Sequence, residues 1–110
     1  MIRVSILKNQ ADDIVAFRVE GHAWYEEAGK DIVCAGVSAI TQTALKGLLA
    51  YLDRKPVYRV EQGILACSLP DDMSDEDAAR ARLLLNTMEL GLKDLEFVYS
   101  DFIKIEIRRC

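Results

Sequence analysis

The chain has a single histidine, His22, and only three cysteines, Cys34, Cys67 and Cys110. Three is an odd count, and separations of 33 and 43 residues fit neither a disulfide framework nor a zinc motif. A zinc site would have to join His22, Cys34 and Cys67, which lack paired ligand spacing, so no metal and no cofactor is expected. A basic stripe is also missing. The net charge is -4 and the pI about 4.9, which argues against direct nucleic-acid binding and is compatible with a small basic partner. No segment reads as long and apolar enough to span a membrane. The first ten residues, MIRVSILKNQ, alternate and contain no apolar signal-peptide region. The reading is therefore no membrane partner and a cytoplasmic location, where cysteines stay as thiols. Repeats, low-complexity runs and linkers are absent as well, so residues 1–110 read as a single domain.

Hydrophobic residues make up 51% of the chain and charged residues 29%, the balance of a folded protein. Ile2, Val4 and Ile6 alternate, as do Val15, Phe17 and Val19. Two strands joined by the polar cluster NQADD form a hairpin. After Gly21 the segment 22 to 30 is polar and glycine-bounded, which marks a loop. Val33, Val37, Ile40, Ala44, Leu48 and Leu52 then recur at helical spacing, predicting a helix over 32 to 53 with Asp31 as its N-cap. Lys55-Pro56 ends it. VYRVE and ILACSL predict a second hairpin around Gln62-Gly63. Ser74, with Asp77 three residues on, resembles a capping box opening a second helix that runs to about Tyr99. Gly91 within it costs about 1 kcal/mol relative to alanine. Ile103, Ile105 and Ile107 alternate in a last strand. The order β-β-α-β-β-α-β predicts an α+β fold, with two helices packed on a mainly antiparallel sheet.

The chemistry-bearing residues gather around the first loop. With Asp31 as cap, Cys34 is the third helical residue and lies in the first turn, where free amides and the helix dipole favour a thiolate. His22 stands at the other end of the same loop, and Gly21 and Gly29 give that loop freedom to fold back. A Cys-His pair for nucleophilic catalysis is one reading. The other makes Cys34 a small buried hydrophobe and His22 an ordinary surface residue. Ser38, one turn after Cys34, could enter the site or bond back to its own helix. Trp24 and Tyr25 could line a peptide groove or pin the loop to the core. Cys67 alternates with Leu65 and Leu69 and reads as core, and Cys110 reads as exposed.

GHA at 21 to 23, Gly29, DIVCA at 31 to 35 and Ser38 together resemble the signature of the ribosomal-processing cysteine proteases, the Prp family. The likeness extends over nearly the whole chain in length and element order. It implies a cysteine endopeptidase that removes the N-terminal extension of large-subunit ribosomal protein twenty-seven and so supports ribosome assembly. It implies Cys34 as nucleophile and His22 as its base, with Gly21, Asp31 and Ser38 in support. It implies further that Trp24, Tyr25 and Gly29 belong to a mobile substrate loop, where Trp24 departs from the smaller residue expected. A homodimer and a ribosomal-protein peptide substrate are implied too. The competing readings are a non-catalytic ribosome-assembly binding module and a different thiol enzyme. A redox enzyme is disfavoured because no resolving cysteine lies nearby in the sequence.

Overall fold

The computed structural model describes residues 1–21 and 30–110, with the backbone alone at 30 and 31. Its elements are β1 (Ile2–Lys8), β2 (Ile14–Glu20), α1 (Lys30–Tyr51), β3 (Val57–Glu61), β4 (Ile64–Ser68), α2 (Asp75–Val98) and β5 (Ile103–Arg109). The five strands form one sheet in the order β3-β4-β2-β1-β5. Only β1 and β5 pair in parallel; the other neighbours are antiparallel. This is the α+β arrangement expected, with one parallel edge.

Local chemistry explains the turns. In the first hairpin Asn9 Oδ1 accepts from the amides of Ala11 at 2.9 Å and Asp13 at 3.0 Å. That Asx geometry lets Asp12 adopt a positive φ of 68°. In the second hairpin Gly63 supplies a φ of 83°. Ile2, Val4 and Ile6 of β1, Phe17 and Val19 of β2, and Leu65 and Cys67 of β4 all point to one face of the sheet and are buried there. The register pairs them across the ladders, Val4 with Val19 and Phe17 with Cys67. Ala16, Arg18, Ala66 and Ser68 occupy the alternate positions of their strands and so point to the opposite face.

Both helices cover the buried face. They run antiparallel in close contact: a Cβ added at Gly91 would meet Ile40 at 3.3 Å, and one at Gly36 would meet Leu95 at 3.3 Å. Gly91 thus trades helix propensity for a close crossing. Ser74 is the N-cap of α2, and its Oγ accepts from the Asp77 amide at 3.1 Å. The reciprocal half of a capping box is replaced. Asp77 instead accepts from the amides of Asp53 and Arg54, both at 3.0 Å, tying the chain just after α1 to the start of α2.

One expectation is corrected by α1. Residues Ile32–Tyr51 form a helical stretch with mean hydropathy 1.5, long and apolar enough by composition to cross a membrane. The physical reason is that α1 packs on two sides. Val33, Val37 and Leu48 are 0% exposed in the core, while Ile40 borders α2. An apolar arc that serves both the sheet and a second helix is broader than one stripe.

Candidate functional site

β2 carries the chain toward the site. Its last residue, Glu20, pairs with Arg3 of β1 on one side and Ile64 of β4 on the other. Gly21 then turns the backbone out of the sheet with a φ of +84°, and a Cβ on it would overlap the Met1 carbonyl oxygen. Glycine is required here both for the left-handed conformation and for the close approach. His22, Trp24, Tyr25 and Gly29 follow in the segment outside the described residues. The expectations of a mobile loop and of His22 beside Cys34 fall there too.

The helix begins at Lys30, so Asp31 is its second residue and not the cap in front of it. Cys34 is therefore the fifth helical residue, at the start of the second turn, where the sequence placed it third. The shift matters for chemistry. In an α-helix starting at residue 30, the amide of residue 34 donates to the carbonyl of residue 30. The amides without an intrahelical acceptor lie at 30 to 32, just before the cysteine. Any backbone oxyanion donor from α1 is one of those, and not the amide of Cys34.

The Cys34 side chain is half-buried and packs against the core cluster, and Ser38, one turn on, is also half-buried. Val33 and Val37, both fully buried, anchor this part of the helix to the sheet. Thr41 Oγ1 donates to the Val37 carbonyl at 2.8 Å, a back-bond within the helix one turn beyond Val37. Taking about 100° per residue, Cys34 and Ser38 lie roughly opposite Gly36, which faces α2. The sulfur is thus on the flank of α1 away from α2; with α2 packed against β5 and β2, that flank lies toward the β4–β3 side of the sheet.

The other cysteines differ sharply. Cys67 is 3% exposed on the inner face of β4, and burial pushes its thiol up from 9.0 to about 11. Cys110 is exposed, and its Sγ donates to the Lys8 carbonyl at 3.5 Å. Of the three sulfurs, Cys34 alone combines partial exposure with a place near a helix N-terminus.

Sequence reasoning missed what Asp77 does. It is 1% exposed, and its hydrogen bonds from Arg54 and Asp53, helped by Arg80 at 3.1 Å, hold its carboxyl below the usual carboxylate range. It fixes the end of α1 remote from Cys34. Only its place three residues after Ser74 hinted at a structural role, and that hint pointed to its own helix.

The family model for the cysteine protease Prp matches residues 1–104. The ribosomal processing cysteine protease Prp of Bacillus subtilis (strain 168) is 28% identical over 107 residues, covering 96% of this chain and 96% of that protein. A crystal structure of the processing protease Prp from S. aureus, in complex with a substrate peptide, has a TM-score of 0.85 and 27% identity. The match covers 98% of this chain and 100% of that one. A second S. aureus Prp structure, with a covalently linked product peptide, has a TM-score of 0.82 and 29% identity over 98% of this chain and 100% of that one. On the family match across nearly its whole length, the chain belongs to the cysteine protease Prp family.

Proposed function

We propose that the chain is a cytoplasmic ribosomal-processing endopeptidase. It acts as one protease domain over residues 1–110 and removes the N-terminal extension of large-subunit ribosomal protein twenty-seven with a Cys34–His22 dyad. The observation that carries this reading is the half-buried Cys34 near the start of α1, within a chain whose family is that of a cysteine protease. Gly21 lends further support, because its obligatory turn directs the chain out of the sheet immediately before His22.

In this mechanism His22 takes the Cys34 proton and the sulfur attacks the scissile carbonyl carbon. A C–S bond forms, and negative charge builds on the carbonyl oxygen, met by the amides at the helix start. The tetrahedral intermediate collapses with cleavage of the C–N bond, and the imidazolium gives its proton to the leaving amine. Water, deprotonated by His22, then hydrolyses the thioester and restores the thiol. Gly21, Asp31 and Ser38 support the site. Trp24, Tyr25 and Gly29 belong to the loop that meets the substrate.

The active species in this reading is a homodimer. A second copy is suggested by Leu83, Leu90 and Phe97, which are 72%, 68% and 88% exposed. They recur every seven residues along α2, the spacing of one helix-pairing stripe. An apolar groove of about 760 Å³, lined by Ala39, Ile40, Leu84 and Gly91 among others, runs beside them.

The test is mass spectrometry of the extended ribosomal protein, and of a synthetic peptide spanning its junction, after incubation with the chain. Loss of the N-terminal segment is expected, and Cys34→Ser and His22→Ala should each abolish it. Unchanged mass with retained binding would replace the protease by the binding module. Clipping by Cys34→Ser would exclude this sulfur as the nucleophile.

A further inference from the structure

The two edges of the sheet are treated differently. At the β5 edge, the Ile105 amide donates to Glu96 Oε2 of α2 at 2.7 Å, so a side chain occupies a backbone donor that another strand would use. Covering an edge in this way blocks strand addition. At the β3 edge there is nothing equivalent. Among the described residues, no backbone bond outside the β3–β4 ladder and no side-chain hydrogen bond to the backbone reaches Val57–Glu61. Every residue of β3 is exposed.

The side chains of that edge have the wrong polarity for a simple solvent margin. Tyr58 and Val60 pair with Cys67 and Leu65, so they point to the helix-covered face of the sheet. Yet they remain 50% exposed, because β3 packs mainly on β4. An unpaired row of backbone groups beside two uncovered apolar side chains is the surface that an extended peptide uses when it joins a sheet.

The chain path sets where this edge lies relative to the sulfur. Only residues 52 to 56 separate α1 from β3, so the strand runs back antiparallel to the helix. Its far end, Glu61, pairs with Ile64, which in turn pairs with Glu20, the residue before Gly21. α1 starts from this same end, and the Cys34 flank, turned away from α2, lies toward the β4–β3 side. A chain leaving the sulfur in that direction meets β3 at Glu61 and can follow its five residues for about 17 Å.

We infer that β3 is the docking strand for the substrate, which adds to its open edge as an extended segment on one side of the cut and lays apolar side chains against Tyr58 and Val60. The inference rests on the protease reading and deepens it. It assigns Tyr58 and Val60 as substrate-positioning residues and the backbone of β3 as the main source of affinity. Because this contact is the same before and after bond cleavage begins, its loss raises KM and leaves kcat near its original value.

The experiment uses the synthetic junction peptide and the full chain. Hydrogen exchange is read on Cys34→Ser with saturating peptide, and a series of peptides N-methylated one residue at a time is assayed with the wild type. The expected result is slowed exchange in β3. Methylation at alternate residues on one side of the cut should weaken binding about fivefold each, while the intervening positions tolerate it. Tyr58→Ala and Val60→Ala should raise KM with kcat retained. Cleavage, or binding, with unchanged β3 exchange and no alternation would overturn the proposal and leave the protease reading standing. Binding with β3 protection but no cleavage by the wild type would sustain the docking strand and sink the protease reading. Absence of any peptide binding at millimolar concentration overturns both. Protection of β3 without peptide that rises with protein concentration would mean that a second copy occupies the edge, which also overturns the proposal.

Discussion

Gly21→Ala is the substitution with the largest effect for the fewest added atoms. A residue with a Cβ at φ +84° costs about 1–2 kcal/mol through its own backbone. The new methyl would also overlap the Met1 carbonyl oxygen, a backbone atom that no rotamer change can move. Relief requires Met1 to shift, and the Ile2 amide, bonded to the Phe102 carbonyl at 2.8 Å, resists that shift. Together these give a loss of roughly 2–3 kcal/mol. For a domain of this size, that is a fall of about 10–15 °C in Tm, or of about 1–2 M in the urea midpoint. Gly21→Asn separates the two causes. Asparagine tolerates the left-handed conformation better than alanine, but it meets the same oxygen. If the overlap dominates, the two variants lose similar stability; if φ dominates, asparagine recovers part of it. On the proposed dyad, cleavage measured well below either melting temperature should fall about tenfold or more, since Gly21 immediately precedes the proposed base. A Gly21→Ala protein with wild-type Tm and wild-type cleavage would refute both the steric and the positioning argument.

Cys67, with its thiol pushed up to about 11, should resist iodoacetamide in the folded protein and react only on unfolding. Its contribution to stability is complete below 9.0, where folded and unfolded thiols are both protonated, and is lost as pH climbs from there through about 11. The alkaline loss of stability should therefore be smaller in Cys67→Ala, and equal losses in both proteins would contradict the assignment. Asp77 acts at the other end of the scale. Its carboxyl lies below 3.8, so its contribution is complete above that value and disappears as pH falls through the lower folded value. Urea midpoints from pH 5 down to pH 2 should fall more steeply for wild type than for Asp77→Asn, and parallel curves would show that the hydrogen bonds from Asp53 and Arg54 do not depend on the charge.

Strand and helix positions were legible because one buried face imposes a period of two on β1, β2 and β4 and a helical period on α1 and α2. The parallel β1–β5 pairing was not, since alternation in Ile103, Ile105 and Ile107 reads the same in either direction. Asp31 shows a second limit. An acid before an apolar periodic run is a sound cap signal, but Lys30 continues the helix by one residue in front of it. Helix starts are decided by amide partners that a sequence does not display.

For the site, the move of Cys34 from the third to the fifth helical position has a chemical meaning. A cysteine at the third helical position would carry one of the unbonded amides itself, and sulfur and oxyanion donor would belong to the same residue. At the fifth position the sulfur projects from a turn that already closes on Lys30, and the amides without an intrahelical acceptor lie ahead of it at 30 to 32. In the proposed mechanism, a carbonyl attacked by this sulfur therefore lies with its oxygen toward the start of the helix. The rest of the chain is free to extend over the flank of α1 that faces away from α2. With α2 packed against β5 and β2, that flank lies toward the β4–β3 side of the sheet. The two apolar side chains of β3 on the helix-covered face, Tyr58 and Val60, have the alternation of an ordinary strand, and their exposure follows from the sheet order, which puts β3 at the edge.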